Sequence, residues 1–301
     1  MAKKVDLSII ILNFNTKDLL RDCLRSVLKS EKDSFRYETI VVDNASTDGS
    51  AALVKKEFLQ IKLICSKKNL GFAAGNNSAI SHISGHYVLF LNPDTIVFPN
   101  TFKEMINFMN SHSQAGAATC RVELLNGKLD EGCHRGFPTP WNAFCHFTRL
   151  ERVFPKIKLF SGYSLSHLSL KTIHEIDACS GSFLFVRREI GDSLEWFDED
   201  YFWYGEDVDF CYRIKQKGWK IFYVPKVKII HYKGVASGMK RQTRQISTAT
   251  EETRKKALAS STEVMRIFYQ KHYQKKYPKF VNWLVMRGVA LLELIRGVKV
   301  R

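Results

Sequence analysis

LSIIILNFN at residues 7–15 and ETIVVDNASTD at residues 38–48 are the two stretches of sequence that decide the fold. Each contains a short run of mostly β-branched apolar residues, which predicts strands over 7–12 and 38–42, buried on both faces of a parallel sheet. Between them, apolar residues recur at positions 19, 20, 23, 24, 27 and 28, a spacing that predicts a helix over 18–28.

The same alternation of strand and helix signals continues to residue 94. It predicts further helices over 51–58 and 71–83 and further strands over 61–65 and 86–91. Repeated βα units indicate an α/β fold with a doubly wound, mostly parallel sheet and right-handed crossovers. Later in the chain we expect strands over 176–186, 219–224 and 227–231, a helix over 207–216, and two C-terminal helices over 250–273 and 279–298.

Sets of polar, turn-forming and aromatic residues follow each of the first four predicted strands. They are Asn13, Phe14 and Asn15; Asp43 and Asn44; Asn69 to Phe72; and Asn92 to Asp94. Any one set is ordinary turn chemistry, because turns prefer Asn, Asp and Gly. Ligands of open α/β sheets bind beyond the carboxyl ends of the strands, however, so all four sets should face one crevice. Together they fit a nucleotide with a phosphate-bound cation.

Two familiar phosphate-binding motifs are absent from the sequence. It contains neither GxGxxG nor GxxxxGK[ST], which disfavours a dinucleotide-dependent dehydrogenase and a P-loop enzyme. A divalent cation on a diphosphate takes only one or two carboxylates from the protein, because phosphate oxygens and water complete its shell. Asp94 is a candidate ligand, and His231 is a second one, with a structural role for this histidine as the alternative.

An unusual acidic segment occupies residues 197–209, where six acidic residues lie among five aromatic ones. Glu206, Asp207 and Asp209 could stabilise a helix N-terminus through the helix dipole. A carboxylate held there beside an aromatic wall would also suit a general base for an acceptor hydroxyl. The two interpretations are compatible.

These motifs, taken in order, closely resemble those of family 2 inverting glycosyltransferases of the GT-A fold. The resemblance covers about residues 5–235 and extends to bacterial rhamnosyltransferase-like members. It rests on SIIILNFN at 8–15, IVVDNASTD at 40–48, NLGFAAGNN at 69–77, LFLNPD at 89–94, the acidic segment, residues 219–225 and HYKG at 231–234.

The resemblance implies a donor site. Phe14 would lie against the nucleobase, and Asp43 would hydrogen-bond to its imide edge. Gly71 and Asn76 would line the base and phosphate pocket. Asp94 matches the last acid of the family's Asp-x-Asp metal motif, whose first position is Asn92 here. This departure removes one negative charge, so it predicts weaker metal affinity or a larger part for His231.

The resemblance also implies a catalytic centre. Asp207 matches the catalytic base of the family's Glu-Asp motif, Glu206 would support the site or touch the acceptor, and Trp203 would form part of the acceptor wall. The expected cofactor is Mg²⁺ or Mn²⁺. The implied reaction transfers a sugar from a nucleotide-diphosphate donor, such as dTDP-rhamnose, to a hydroxyl of a lipid-linked or cell-envelope polysaccharide acceptor. A polyprenyl-phosphate sugar synthase on the same fold is the alternative.

Composition and charge limit the remaining options. With 45% hydrophobic and 25% charged residues the chain is ordinary globular protein, and its scattered cysteines fit a reducing cytosol. The net charge of +16 suggests nucleic-acid binding, but twelve of these charges lie after residue 232. We therefore expect no nucleic-acid partner.

We predict two regions. The first is a catalytic domain over 1–235, with a donor half at about 1–123 and an acceptor half at about 124–235. The second is a basic helical extension over 236–301. Because no signal-peptide core or 18-residue apolar stretch is found, we expect a cytoplasmic protein. Residues 278–301 could bind an anionic membrane surface peripherally at the cytoplasmic face of the inner membrane, or pack on the protein or a second copy.

Overall fold

The computed structural model describes residues 5–31, 34–239, 245 and 247–297. Within these residues nine strands form a single sheet. The strands are β1 Leu7–Asn13, β2 Tyr37–Asp43, β3 Lys62–Cys65, β4 Tyr87–Leu91, β5 Thr95–Val97, β6 Ala115–Leu124, β7 His174–Ile176, β8 Phe183–Arg187 and β9 Lys220–His231. They are arranged in the order β3-β2-β1-β4-β8-β6-β9-β5, and β7 also pairs with β9.

Helices cover the sheet and extend beyond it. They are α1 Lys17–Leu28, α2 Ser50–Glu57, α3 Phe72–Asn77, α4 Thr101–Ser111, α5 Pro140–Phe147, α6 Leu150–Val153, α7 Arg188–Ser193, α8 Glu206–Gln216, α9 Glu251–His272 and α10 Lys279–Ile295. The helix predicted over 71–83 is shorter than expected, since α3 ends at Asn77 and a 3₁₀ turn covers Ile80–His82. The predicted end of the last helix, Val298, lies outside the described residues.

The donor half of the sheet is parallel, as predicted. β1 pairs in parallel with β2 and β4, and β2 pairs in parallel with β3. The register places Asn13 beside Asp43 and Asp43 beside Cys65, so the carboxyl ends of these strands are level. The polar segments that follow the strands therefore meet at one edge, where the sequence places the ligand crevice.

The second half of the sheet departs from the expected mostly parallel arrangement, although β6 pairs in parallel with β9. β8 runs antiparallel to both β4 and β6, while β5 and β7 run antiparallel to β9. The complete sheet is thus mixed, within the predicted α/β class. The strand predicted over 176–186 is also interrupted, because residues 177–182 leave the sheet and turn between β7 and β8.

Pro225 does not separate two strands, as the sequence predicted, but lies inside one long strand, β9. The register against β6 pairs Val224 with Cys120 and then Lys228 with Arg121. Residues 225–227 therefore bulge out of the ladder. Proline has no N–H to donate and is accommodated at such irregularities, so β9 continues on to His231.

The C-terminal helices pack on the rest of the described chain through α9. Phe268, Tyr269 and Tyr273 form a second apolar cluster with Tyr201 and with residues of α8. α10 then packs on α9, where Arg266 bonds to Glu293 at 2.6 Å. None of the described helices is both long and apolar enough to cross a membrane.

A buried carboxylate joins α9 to α8. Asp209 is fully buried, and its two oxygens lie 2.6 Å from Arg213 Nε and from His272 Nε2. Burial alone would raise the pKa of Asp209, but the hydrogen bonds from His272 and Arg213 outweigh it, and the pKa falls below its ordinary 3.8. The stabilisation is therefore complete above about pH 4 and is lost as the pH falls through the lower folded-state value.

We expect Asp209→Asn to lower the free energy of unfolding by about 3 kcal/mol, because it leaves the partly buried guanidinium of Arg213 without its negatively charged partner. Chemical denaturation at pH 7 measures this change. The matched control is Asp200→Asn, which alters an exposed carboxylate paired with Lys271 and should cost less than about 1 kcal/mol. Equal effects of the two substitutions would contradict the structural role given to Asp209.

Candidate active site

A cavity of about 600 Å³ opens at the carboxyl ends of the parallel strands. Its lining comes from the segments after β1, β2, β3 and β4, from the 177–182 turn, from the start of α8, and from the C-terminal extension. The crevice predicted from the strand ends is therefore present. Phe14, Gly71, Asn92, Asp94, Trp203, Glu206, Asp207 and His231 are the predicted site residues that line it.

Gly71 allows the loop after β3 to approach the aromatic segment closely. Its φ is +81°, and a Cβ atom there would lie 2.5 Å from the backbone oxygen of Phe202. The next amide, that of Phe72, donates to the same oxygen at 2.8 Å. Any other residue would strain this backbone and push the two cavity walls apart.

Two predicted donor-binding residues lie behind the cavity wall. The oxygens of Asp43 accept hydrogen bonds from Asn13 Nδ2 and from the Ser46 amide, each at 3.1 Å. Asn76 is buried within α3 and donates to the backbone oxygen of Phe72 at 2.9 Å. Neither belongs to the described lining, whereas Asn44, the neighbour of Asp43, does.

Asp94 and His231 meet on one wall. Asp94 Oδ1 lies 3.2 Å from His231 Nε2, and Asn92 Nδ2 lies 3.4 Å from the same nitrogen. The other ring nitrogen of His231 bonds to Asp130 Oδ2 at 2.8 Å, and Asp130 is also paired with Lys233. Asp130 therefore fixes the orientation of the imidazole and directs Nε2 towards Asp94.

The charges on this wall stabilise each other. Burial would lower the pKa of His231, but Asp94 and Asp130 outweigh it and raise the pKa to about 9. For Asp130, burial is likewise opposed by His231 and Lys233, which hold its pKa below the usual range. A metal ion on Nε2 would have to displace the proton that the two carboxylates retain there.

The donor atoms on this wall fit a cation shared with a diphosphate. In the described part of the chain, no three His, Cys, Asp or Glu side chains are grouped to hold an ion on protein ligands alone. Asp94 Oδ1 and His231 Nε2 nevertheless present one oxygen and one nitrogen to the cavity. A phosphate-bound Mg²⁺ or Mn²⁺ needs few protein ligands of this kind, so the site suits an ion that arrives with the donor.

Asp207 lies at the start of α8, where the helix dipole favours a carboxylate. Its Oδ2 accepts from Arg135 Nη2 at 2.8 Å and from the Gly181 amide at 3.3 Å. Its Oδ1 accepts from the Val208 amide at 2.7 Å. These three bonds hold the carboxylate in one orientation at the cavity wall.

The adjacent Glu206 is in a different environment. It is buried, and its Oε2 has no hydrogen-bond partner among the described residues. Burial, followed by repulsion from Asp207, raises the pKa of Glu206 well above its ordinary value. The two neighbouring acids are thereby separated into one ion-paired carboxylate and one that favours its protonated form.

The C-terminal extension also forms part of the cavity wall. Leu258 and Ser261 of α9 line it, and so does Arg296, which follows α10. Arg296 Nη1 donates to Ser261 Oγ at 2.9 Å. The extension thus contributes to the cavity as well as packing on α8.

Asp130 is a site residue that the sequence reasoning missed. Asp130 follows the turn at Asn126 and Gly127, and in the sequence this turn looks like an ordinary exposed hairpin with no functional residue. Its burial depends on β9, a hundred residues later, which brings His231 and Lys233 against it. The signal available in the sequence was Asp130 five residues before Arg135, at the start of a stretch with few acidic residues.

A parallel half-sheet with a cavity lined by carboxylates and cations at its strand ends, continued by a mixed second half, defines a glycosyltransferase of the GT-A fold. The model of the family "Glycosyl transferase family 2" matches residues 8–167, more than half of the chain. The chain belongs to this family.

Curated relatives agree with this assignment. The rhamnosyltransferase WbbL of Escherichia coli K12 is 27% identical over 243 residues, which cover 74% of this chain and 82% of the relative. N-acetylglucosaminyl-diphospho-decaprenol L-rhamnosyltransferase of Mycobacterium tuberculosis is 26% identical over 210 residues, which cover 66% of this chain and 67% of the relative. The resemblance to rhamnosyltransferases is thus confirmed.

Solved structures agree on the fold. GalNAc-T7, crystallised with UDP, GalNAc and Mn²⁺, superposes with a TM-score of 0.57 at 17% identity, covering 88% of this chain. This chain spans 52%, about half, of the GalNAc-T7 chain. At this identity the likeness concerns the fold alone.

Proposed function

We propose that the protein transfers a sugar, rhamnose from dTDP-rhamnose, to a hydroxyl of a lipid-linked or cell-envelope polysaccharide acceptor, with inversion at the anomeric carbon. The observation that carries this proposal is the placement of Asp207 and the Asp94–His231 pair on the walls of one cavity. A base for the acceptor and a site for the donor diphosphate are what a single displacement requires. The choice of rhamnose is supported by the two rhamnosyltransferase relatives.

The proposed reaction is one displacement. The acceptor O–H bond breaks and its proton passes to the Asp207 carboxylate. The acceptor oxygen forms a bond to the anomeric carbon while the bond to the diphosphate oxygen breaks, and that electron pair leaves with the nucleoside diphosphate. A divalent cation held by Asp94 and His231 would supply positive charge against this leaving group.

The other residues position the reactants. Phe14 offers a ring to the nucleobase, Gly71 admits the loop that closes the donor pocket, and Asn92 offers an amide beside His231. Asp43 would act on the base through the neighbours that it holds, Asn13 and the Ser46 amide, and Asn76 would support the pocket from inside α3. Because neither belongs to the described lining, their effect on the donor would be indirect.

The acceptor side is formed by Trp203 with Glu206. An indole ring presents a flat apolar surface suited to a sugar face, and a protonated Glu206 can donate a hydrogen bond to an acceptor oxygen. We assign Arg135 as a positioning residue, since it acts by fixing the Asp207 carboxylate. We further propose peripheral association of the extension with the cytoplasmic face of the inner membrane, where a lipid-linked acceptor would be met.

A thermal-shift panel of nucleotide sugars with Mg²⁺ or Mn²⁺ tests the donor assignment. We expect dTDP-rhamnose with the cation to raise the melting temperature more than UDP- or GDP-sugars, because ligands that bind only the folded state stabilise it. Each nucleoside diphosphate, run alone, is the matched control that separates base recognition from sugar recognition. A larger shift with another nucleotide sugar would reassign the donor.

A further inference from the structure

Exposed apolar side chains are concentrated in two segments of the described chain. Of eighteen large apolar side chains described as exposed, six belong to α10 and seven fall within residues 141–159. The seven form the 141–159 patch: Trp141, Phe144, Phe147, Val153, Phe154, Ile157 and Leu159. Exposed apolar side chains this close together on a protein surface usually mark a site that binds a protein, a ligand or a membrane.

The 141–159 patch is a fixed structure. The Trp141 indole donates to the backbone oxygen of Leu159 at 2.8 Å, which joins the two ends of the segment. Trp141 stacks on Phe144 with ring centroids 5.6 Å apart, and Phe154 lies 5.0 Å from Phe160. The apolar residues therefore present a preformed surface.

The exposed charged side chains within the 141–159 patch are all positive. Arg149, Arg152, Lys156 and Lys158 are all exposed within it. Glu151, the one acidic residue in the sequence between 137 and 173, is buried and bonded to His146 at 2.7 Å. No carboxylate is thus left exposed among these cations in the described segment.

We propose that the 141–159 patch is a contact surface for an anionic lipid bilayer, additional to α10. Aromatic rings and aliphatic side chains suit the boundary between headgroups and acyl chains, while Lys and Arg reach anionic headgroups. A second copy of the chain is a poorer occupant, because it would bring the same four cations against each other. The patch begins six residues after Arg135, at the cavity, so this contact would bring the bilayer near the active site.

Flotation of the full chain with vesicles of 70% phosphatidylcholine and 30% phosphatidylglycerol tests the proposal. Phe144→Ser with Ile157→Ser should lower the ratio of bound to free protein about tenfold or more. The matched control, Leu59→Ser with Leu125→Ser, removes two exposed apolar side chains elsewhere and should leave binding unchanged. No sugar donor or acceptor is needed, so the outcome is independent of the proposed reaction.

A second pair of substitutions tests how much the charges of the patch contribute to binding and leaves its apolar side chains unchanged. Lys156→Glu with Lys158→Glu should weaken binding about 25-fold or more, since each lysine near an anionic surface contributes about fivefold. Lys55→Glu with Lys56→Glu, on exposed positions of α2, is its control. Wild-type binding should also fall on pure phosphatidylcholine vesicles.

Three results would overturn the proposal. The first is unchanged flotation of both patch variants. The second is loss of flotation only when α10 is altered by Leu284→Ser with Leu291→Ser, which would assign the whole contact to α10. The third is a wild-type dimer in sedimentation that Phe144→Ser with Ile157→Ser dissociates, which would make the patch a contact between copies.

Discussion

Replacing Asp207 with Asn is expected to lower sugar transfer about a thousandfold while the donor continues to bind. The amide keeps the size of the side chain but cannot take the acceptor proton, and general-base catalysis contributes effects of this order. Donor affinity should change less than about threefold, because Asp207 is bonded to Arg135 and two backbone amides and is proposed to contact the acceptor, not the donor. Steady-state transfer rates and a donor titration by calorimetry measure the two quantities separately.

The neighbouring acid provides the matched control for this prediction. Glu206 already favours its protonated form because of burial, and Gln is close in shape and charge to protonated Glu. Glu206→Gln should therefore retain at least about a tenth of the wild-type rate. If Glu206→Gln is inactive and Asp207→Asn turns over normally, Glu206 is the base and the assignment is wrong.

Replacing Asp94 with Ala is expected to remove the response of activity to Mg²⁺ or Mn²⁺ and to lower transfer about a hundredfold. Asp94 is the carboxylate nearest His231 Nε2, so its loss removes one of the two protein ligands proposed for the ion. Activity is measured across a metal titration, with chelator-treated wild-type enzyme as the reference. Metal-dependent activity that survives in Asp94→Ala would reject Asp94 as a ligand.

Asn92→Asp is a control that should strengthen metal binding, whereas Asp94→Ala should weaken it. It restores the acid that the family motif carries at this position, beside His231. The added charge should lower the metal concentration that gives half-maximal activity, since carboxylates are the preferred ligands of these ions. A variant that needs more metal than the wild type would indicate that the ion does not bind beside residue 92.

The local pattern of apolar residues along the sequence was sufficient to predict the first, parallel half of the sheet. The strands at 7–13, 37–43 and 87–91 contain apolar runs at 9–12, 40–42 and 87–91 that are almost entirely buried, and short runs of this kind predict buried strands. The second half depends on pairings distant in sequence. β6 lies between β8 and β9, and β5 is a three-residue strand defined by its pairing with β9. Short strands of this kind have no periodicity of their own.

The same division holds in the candidate site. Phe14, Gly71 and Asp94 lie in the segments that follow predicted strands, so their place at one sheet edge could be predicted from the sequence pattern, whereas Asp207 was assigned through the family resemblance. Asp130 reaches the site through a hydrogen bond to His231, about a hundred residues later in the chain. Asn76 was expected in the pocket, but a helix turns its side chain back to the Phe72 carbonyl. Side-chain direction within a short helix depends on packing that a linear pattern does not contain.

The most direct test of inverting transfer is the anomeric configuration of the product. Wild-type protein is incubated with dTDP-rhamnose, Mg²⁺ and a lipid-linked sugar acceptor, and the new glycosidic bond is examined by NMR. A single displacement with Asp207 as base predicts a configuration opposite to that of the donor's sugar–phosphate bond. A product that retains the donor's configuration would contradict the mechanism, and no transfer from any nucleotide-diphosphate sugar would contradict the proposed function.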